Sequence, residues 1–294
     1  MSILIIVAPE DHLNYSSGMV RIGTAGWSYK DWEGIVYPSQ SGEALKILST
    51  LFDTLEINVT FYRPPTLRMS KRWIEETDHN PGFHFTMKAS RTWTHGGSSP
   101  EATGSYLAFI RELTAAGKFG AILFQYPWSF FDSRDHRDQI LRAVDPFRPY
   151  PIVIEVRHRS FEDPSFLTFL TEENLGFANI DQPLLGKALR PSSLVTSKLG
   201  YVRFHGRNYK HWIRHDEPWQ RYDYLYRLDE LRQWKSRIDE IVKSAEETYV
   251  VMNNHYKGQA VVNGMELNSL YGKPSSSIPE GLRDQYMERM SALS

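Results

Sequence analysis

The stretch TLEINVTFYRPP, residues 54–65, has the pattern of a barrel strand that runs into a loop. Leu55 and Ile57 alternate with Glu56 and Asn58, and a double proline ends the run. Side chains on a strand alternate between its two faces, so the apolar pair and the polar pair point in opposite directions. In a (β/α)₈ barrel the outer face meets helices, and polar functional side chains gather inside, at the C-terminal mouth. This alternation therefore predicts that Glu56 faces the barrel interior.

The rest of the chain repeats this pattern of strand and crossover. Short runs rich in Val, Ile and Phe alternate with longer segments at helical spacing. We predict strands at residues 20–25, 53–59, 83–89, 120–126, 152–157, 176–181, 201–205 and 248–253. Helices are predicted at residues 42–51, 66–76, 100–117, 134–144, 164–174, 227–244 and 260–271. Eight strands with helical crossovers predict an α/β fold, a single (β/α)₈ TIM-type barrel.

One crossover is expected to be irregular, and one alternative fold stays open. The link between strands six and seven contains Pro183 and Pro191, which disfavour a helix there. The alternative is a doubly wound open sheet. Residues 23–34, GTAGWSYKDWEG, carry glycines at a spacing that differs from the dinucleotide-binding G-x-G-x-x-G, which argues against that sheet.

We predict an N-terminal extension outside the core at residues 1–18, the barrel domain at 19–272 and a C-terminal tail at 273–294.

The composition excludes several classes of site and partner. The chain has 294 residues and a formal net charge of −1, so no global charge favours nucleic acid or acidic lipid. It has no cysteine, which excludes disulfides, thiolate zinc sites and a cysteine nucleophile, and which fits a reducing compartment. We find no signal-peptide pattern and no apolar stretch long enough for a membrane span. The expectation is a cytoplasmic protein without a membrane partner, whose oligomeric state the sequence leaves open.

The charged residues predicted to face inward lie near the C-terminal ends of their strands, where barrel enzymes build their sites. They are Glu56, Lys88, Glu155, Arg157, Arg203 and His205, joined at the mouth by Asn58, Gln125, Asp181, Asn253 and His255. One interpretation is a structural network of ion pairs inside the barrel. Buried ion pairs are often no better for stability than apolar residues of similar volume, so six such groups at one end favour a functional site.

The chemistry of this set suggests an enzyme that acts on a small anionic substrate. Lys88, Arg157 and Arg203 could bind a phosphate or a carboxylate. Glu56 and Glu155 could divide the acid and base roles if their environments separate their pKa values. His205 and His255 are alternative proton carriers.

Two other functions stay open. No cofactor is predicted and no residue is assigned to a metal. However, a divalent ion could use a set of oxygen and nitrogen ligands for hydrolysis or isomerisation: Glu56, Glu155, Asp181, His205 and His255. The long connection after strand seven, residues 206–226, interleaves basic and aromatic residues. It could be a lid over an anionic small molecule, an ordered loop packed on the rim, or a binding surface for a nucleotide or single-stranded nucleic acid.

Five ordered motifs resemble those of the YecE-like family, also called domain of unknown function 72. They are GTAGWSYKDWEGIVYP, FDTLEINVTFYRPP, FHFTMKASRTWTH, YVRFHGR with YDYLY, and VVMNNHYKGQAVVN, and the match runs from Arg21 to about Leu270. The resemblance implies a TIM-type barrel and brings no reaction with it. The recurrent residues of the family correspond here to Trp27, Glu56, Asn58, Tyr62, Lys88, His95, Glu155, Arg157, Arg203, His205, Asn254 and His255.

Alternation and resemblance together give the set of candidate site residues. The candidate catalytic residues are Glu56, Glu155, His205 and His255. The candidate substrate-binding residues are Trp27, Asn58, Tyr62, Lys88, His95, Arg157, Arg203, Asn253 and Asn254.

Overall fold

Eight parallel strands form a closed barrel in a computed structural model that describes residues 18–40, 42–95, 100–273 and 277–293. Each strand pairs with the next along the chain, and the last pairs with the first. This confirms the predicted (β/α)₈ barrel. The strands are β1 (Met19–Ala25), β2 (Thr54–Ile57), β3 (His84–Lys88), β4 (Phe119–Gln125), β5 (Ile152–Glu155), β6 (Gly176–Asp181), β7 (Leu199–Phe204) and β8 (Glu247–Met252).

Helices surround the barrel, and each of the predicted ones is present. They are α1 (Ala44–Leu51), α2 (Leu67–Glu76), α3 (Arg91–His95), α4 (Pro100–Ala115), α5 (Arg134–Val144), α6 (Pro164–Glu172), α7 (Leu228–Val242), α8 (Gln259–Leu270), α9 (Glu280–Gln285) and α10 (Met287–Ser291). Short 3₁₀ turns follow several strands, among them Val59–Phe61 after β2 and Tyr256–Gly258 after β8. The short helix α3 is absent from the sequence prediction, because five residues give no periodic signal.

The register of the strands places the polar residues on a common inner face. Ala25 of β1 pairs with Glu56 of β2, and Glu56 pairs with Thr86 of β3. Two residues earlier on each strand, Gly23 pairs with Thr54, and a β-carbon on that glycine would lie 1.6 Å from the backbone oxygen of Thr54. The absence of a side chain at position 23 therefore lets β1 and β2 approach beneath the glutamate.

The outer face of the strands is apolar, as the alternation predicts. Leu55, Ile57, Phe85 and Met87 are fully buried between the strands and the surrounding helices. Burying each such side chain stabilises the fold by about 1.5–3 kcal/mol. The apolar outer face therefore supplies packing stability, and the polar residues of the inner face are not needed for this contact with the helices.

The link between β6 and β7 has no helix, as the prolines predict. Asn179 of β6 points outward and holds this link in place of a helix. Its side-chain oxygen accepts hydrogen bonds from the Ser192 hydroxyl at 2.7 Å and from the Leu194 amide at 2.8 Å, and its Nδ2 donates to the Leu194 carbonyl at 2.8 Å. One buried amide thus satisfies backbone groups that a helix would have satisfied internally.

The predicted N-terminal extension and C-terminal tail differ in how much of them the structure describes. The predicted extension, apart from Gly18, lies outside the described residues. The stretch predicted as a tail contains α9 and α10, and Leu282 and Met290 of these helices are fully buried. Arg289 pairs with Glu266 of α8, so residues 277–293 pack on the barrel. Within the described ranges, no helix is both long enough and apolar enough to cross a bilayer.

The N-terminal end of the barrel is filled by its own polar cluster. His84 Nδ1 lies 2.7 Å from the Tyr249 hydroxyl, Tyr249 donates to Glu247, and Glu247 pairs with Arg21. These groups satisfy one another at the end of the barrel that is usually devoted to stability.

Candidate active site

Arg203 joins two glutamates inside the C-terminal mouth of the barrel. Its side chain is 1% exposed and points inward from β7. Nη2 lies 2.7 Å from Oε1 of Glu56, and Nη1 lies 2.5 Å from Oε2 of Glu155. Burial opposes the charge, but Glu155 and Glu56 outweigh it and raise the pKa of Arg203 above its usual range. The centre of the site is therefore a permanent cation between two carboxylates.

The second oxygen of Glu56 accepts a hydrogen bond from Tyr201. The Tyr201 hydroxyl lies 2.9 Å from Glu56 Oε2 and 2.9 Å from the hydroxyl oxygen of Thr86. Burial, followed by the charge of Glu56, raises the pKa of Tyr201 well above its usual range, so the hydroxyl keeps its proton. Glu56 is thus held by one cation on one oxygen and by one neutral donor on the other.

Glu155 is held more tightly. Its Oε1 accepts from Nε of Arg157 at 3.1 Å, from Nη2 of Arg157 at 3.0 Å and from His205 Nε2 at 3.0 Å, and its Oε2 accepts from Arg203. Burial alone would raise its pKa, but Arg203, His205 and Arg157 outweigh that effect and hold the pKa of Glu155 well below its usual range. This arrangement suits a fixed anion that orients its neighbours better than it suits a proton carrier.

His205 is neutral, and its partners assign its tautomer. Burial lowers the pKa of His205 to about 3. Nδ1 lies 2.9 Å from Nδ2 of Asn253, which donates, and Nε2 therefore carries the proton that it donates to Glu155. Asn253, which the sequence predicts to bind substrate, therefore donates a hydrogen bond to His205 and fixes its tautomer.

Lys88 faces the same cluster but forms no ion pair with the described part of the chain. It ends β3, is partly exposed, and its Nζ lies 4.0 Å from the centre of the Phe61 ring. Within the described residues, its amine has no hydrogen-bond or ion-pair partner. Burial, together with the charge of Arg203, lowers the pKa of Lys88 to about 7. Lys88 is therefore the amine of the mouth that changes its protonation near neutral pH.

The connection between β7 and α7 covers the cluster. Trp212 is 7% exposed, and its ring lies 5.9 Å from the guanidinium carbon of Arg157 and 5.6 Å from that of Arg221. Its ring centre is 6.4 Å from that of His205. The loop of residues 206–226 is thus packed on the rim and places a tryptophan over the charged side chains.

A separate ion pair anchors this loop. Arg207 donates to the two oxygens of Asp181 at 2.8 and 2.7 Å and to Glu230 of α7 at 2.8 Å. Asp181 also accepts from the Trp234 indole. The prediction that Asp181 lies in the mouth is wrong, because it pairs with the outward-facing Phe204 in register and shares its face.

Three candidate residues lie away from the central cluster. Asn254 points outward, and its Nδ2 donates to the Tyr224 carbonyl and to Asn263, each at 2.8 Å. Trp27 packs edge-on against Trp73 of α2, with ring centres 4.9 Å apart. Tyr62 is 76% exposed on the turn after β2. The structure therefore gives Asn254 and Trp27 packing partners outside the barrel interior.

The other candidates line the approach to the cluster. The His255 ring is stacked on Tyr29 at 4.3 Å and lies 4.7 Å from Tyr222, and burial lowers the pKa of His255 to about 4. His95 is exposed, 5.8 Å from Phe61. The side-chain oxygen of Asn58 and the Nδ1 atom of His255 are buried without a hydrogen-bond partner in the described residues. Buried polar atoms without a partner are uncommon, because leaving them unsatisfied costs free energy.

Sequence reasoning missed some residues of the site. Alternation places Tyr201 on the inner face, yet a tyrosine in a strand is ordinarily explained by packing. Phe61, Tyr29 and Trp212 come from turns and loops, where no periodicity predicts orientation. Within the described ranges, no three His, Asp or Glu side chains are grouped as metal ligands, so the set proposed for a divalent ion is not assembled.

Comparisons with known proteins agree with this architecture. Residues 21–285 match the family model described as "Protein of unknown function DUF72". The UPF0759 protein YunF of Bacillus subtilis (strain 168) is 29% identical over 272 residues, which cover 86% of this chain and 94% of that protein. A DUF72 family protein of Thermotoga maritima MSB8 superposes with a TM-score of 0.76 at 32% identity, covering 86% of this chain and 99% of the other. One of Enterococcus faecalis V583, at 23% identity, shares the fold with a TM-score of 0.76 and covers 86% of this chain and 96% of the other. The chain therefore belongs to the DUF72 family, and it has the TIM-type barrel of the solved members.

Proposed function

We propose that the protein is an enzyme that binds a small phosphate- or carboxylate-bearing substrate at the C-terminal mouth and acts on it by acid and base chemistry. One observation carries the proposal: positive charge at the mouth exceeds the carboxylates available to neutralise it. Arg157 and Arg203 share Glu56 and Glu155, whereas Lys88 and Arg221 have no carboxylate partner in the described residues. A substrate anion would neutralise this excess.

The environment of the unpaired cations supports an anion site. Nε of Arg221 is buried and has no hydrogen-bond partner among the residues that the structure describes. Its guanidinium packs against Trp212, which also covers Arg157. A buried donor without an acceptor costs about 1–3 kcal/mol, which an anionic ligand would recover. Trp212 also limits the access of water, and a low local dielectric strengthens the attraction between a cation and an anion.

Glu56 is the best placed of the candidate bases. Both oxygens of Glu155 accept hydrogen bonds from cations, and one of them also accepts from His205. In Glu56, one oxygen accepts from Arg203 and the other accepts from the neutral hydroxyl of Tyr201. A proton taken up by Glu56 would therefore disturb one ion pair only. His205, held neutral by burial, can donate but is not set to accept on Nδ1, because Asn253 occupies that atom.

Calorimetric titration with inorganic phosphate and with pyruvate tests the binding half of the proposal. We expect one site per chain in the wild type, and binding about tenfold or more weaker in Arg221→Gln, because a hydrogen bond to a charged group contributes about 1.5–3 kcal/mol. Arg148→Gln is the control, since Arg148 is exposed and pairs with Glu173. Equal affinities in the two variants, or no binding to the wild type, would contradict the proposal.

A further inference from the structure

We propose that the amine of Lys88 forms an imine with the carbonyl carbon of a substrate that also carries a phosphate or a carboxylate. The inference rests on the proposed function, because an anionic group held by the arginines of the mouth would bring the carbonyl to the lysine. It adds the substrate class, a carbonyl compound with an anionic group, and a covalent role for one residue.

The geometry separates Lys88 from two other lysines that are partly or fully buried. Lys118 donates to the carbonyls of Thr77 at 2.9 Å and Asn80 at 3.0 Å, and Lys273 pairs with Asp53 at 2.7 Å. Each of these two ammonium groups has acceptors that favour the charged form. Lys88 has no acceptor among the described residues, and its nearest assigned contact is the face of Phe61.

The neighbours of Lys88 favour a free amine. It ends β3 on the inner face, two residues beyond Thr86, which pairs with Glu56 in register. Burial and the charge of Arg203 lower its pKa to about 7. About half of it is therefore free amine at pH 7, a fraction roughly a thousandfold larger than for an exposed lysine with its ordinary pKa. Desolvation and an adjacent cation are established ways to activate a lysine nucleophile.

The step balances without an oxidant or a reductant. The Nζ lone pair attacks the carbonyl carbon, and the carbonyl electron pair moves to oxygen. The amine then loses its two hydrogens with that oxygen as one water molecule, and a C=N bond forms. Protonation of the imine nitrogen draws electrons from the neighbouring carbon, so a C–H or C–C bond at that carbon is weakened. Glu56, whose charge acts on Lys88, is the carboxylate placed to take up the released proton.

Reductive trapping tests the imine. The full-length protein is incubated at pH 7 with sodium cyanoborohydride and either pyruvate or dihydroxyacetone phosphate, in a buffer without amines. Peptide mass spectrometry then locates the adducts. We expect one adduct per chain, on Lys88, and much weaker labelling with acetone, which has the carbonyl but no anionic group.

Three variants complete the test. Lys88→Met and Lys88→Arg should both lose the adduct, and Lys88→Arg should still bind phosphate because it keeps the charge. Lys198→Met, at an exposed lysine paired with Glu246, should be labelled like the wild type. Labelling spread over surface lysines, or none at Lys88, overturns the imine. If calorimetry still shows one phosphate site in that case, the proposed function stands alone, and if it shows none, both proposals fail.

Discussion

Nη2 of Arg203 lies 2.7 Å from Oε1 of Glu56, although the two residues are 147 positions apart in the chain. The contact crosses the barrel from β7 to β2, and both side chains are almost completely buried. Arg203 therefore joins the two glutamates, and it is the cation that pairs with Glu56, whose other partner is the neutral hydroxyl of Tyr201.

Removal of Arg203 should destabilise the protein strongly. Arg203→Met leaves Glu56 and Glu155 without their shared cation, and breaking a buried pair in this way costs about 3–5 kcal/mol. Urea unfolding measures the change. Arg72→Met is the matched control, because Arg72 pairs with Glu76 on the surface and should contribute less than about 1 kcal/mol. Similar losses in both variants would contradict the central role of Arg203.

Stability should fall in mild acid because of His205. Its pKa is about 3 in the folded protein and about 6.5 in the unfolded chain. The folded pKa is the lower one, so this contribution is complete above pH 6.5 and is lost as the pH falls towards 3. The free energy of unfolding should decrease by about 1–2 kcal/mol between pH 6.5 and 5, where few exposed carboxylates titrate. His255, whose pKa is lowered to about 4, adds to the same decrease.

Unfolding curves of variants separate these contributions. His205→Gln should show a shallower decrease over this interval than the wild type, whereas His211→Gln, in the partly exposed loop, should follow the wild type. An unchanged pH dependence in His205→Gln would show that the ring is not held neutral by burial.

Replacement of Lys88 should stabilise the protein at neutral pH. The pKa of Lys88 is about 7 in the folded state and about 10.4 in the unfolded chain, so stability is lost as the pH falls from 10.4 through 7. Lys88→Met removes this loss. We expect a gain of about 1–2 kcal/mol at pH 6.5, reduced from the full linkage value because the side chain is partly exposed. Urea unfolding at pH 6.5 and 9.5 should show the gain shrinking at the higher pH, and a variant less stable than the wild type at pH 6.5 would refute the expectation.

Loss of Arg207 should loosen the loop that covers the site. Arg207→Met removes the bidentate contact to Asp181 and the contact to Glu230. Hydrogen exchange of amides in residues 206–226 should become about tenfold faster or more, since hydrogen bonds to charged groups contribute about 1.5–3 kcal/mol. Arg214→Met is the control within the same loop, because Arg214 is exposed. Equal exchange in the two variants would show that the loop is held by other contacts.

Periodicity in the sequence is enough to predict the barrel and the inner face of its strands. The period-two alternation in TLEINVTFYRPP and in the other strands identifies Glu56, Lys88, Glu155 and Arg203 as inward, because strand side chains alternate whatever the tertiary context. The two prolines between β6 and β7 likewise predict the missing helix, since proline removes a backbone donor.

The partners of the inward charges depend on how the barrel closes. Arg203 contacts both glutamates, and Glu155 accepts from three cationic or donor side chains, because barrel closure sets the distances across the interior. Lys88 forms no ion pair with any residue that the structure describes. The directions of Asp181 and of the loop residue Trp212 also escaped prediction. Asp181 ends β6 on the outer face that it shares with Asn179, where Arg207 pairs with it. Trp212 lies over the mouth, since the backbone beyond β7 has no periodicity and takes its direction from the elements it packs against.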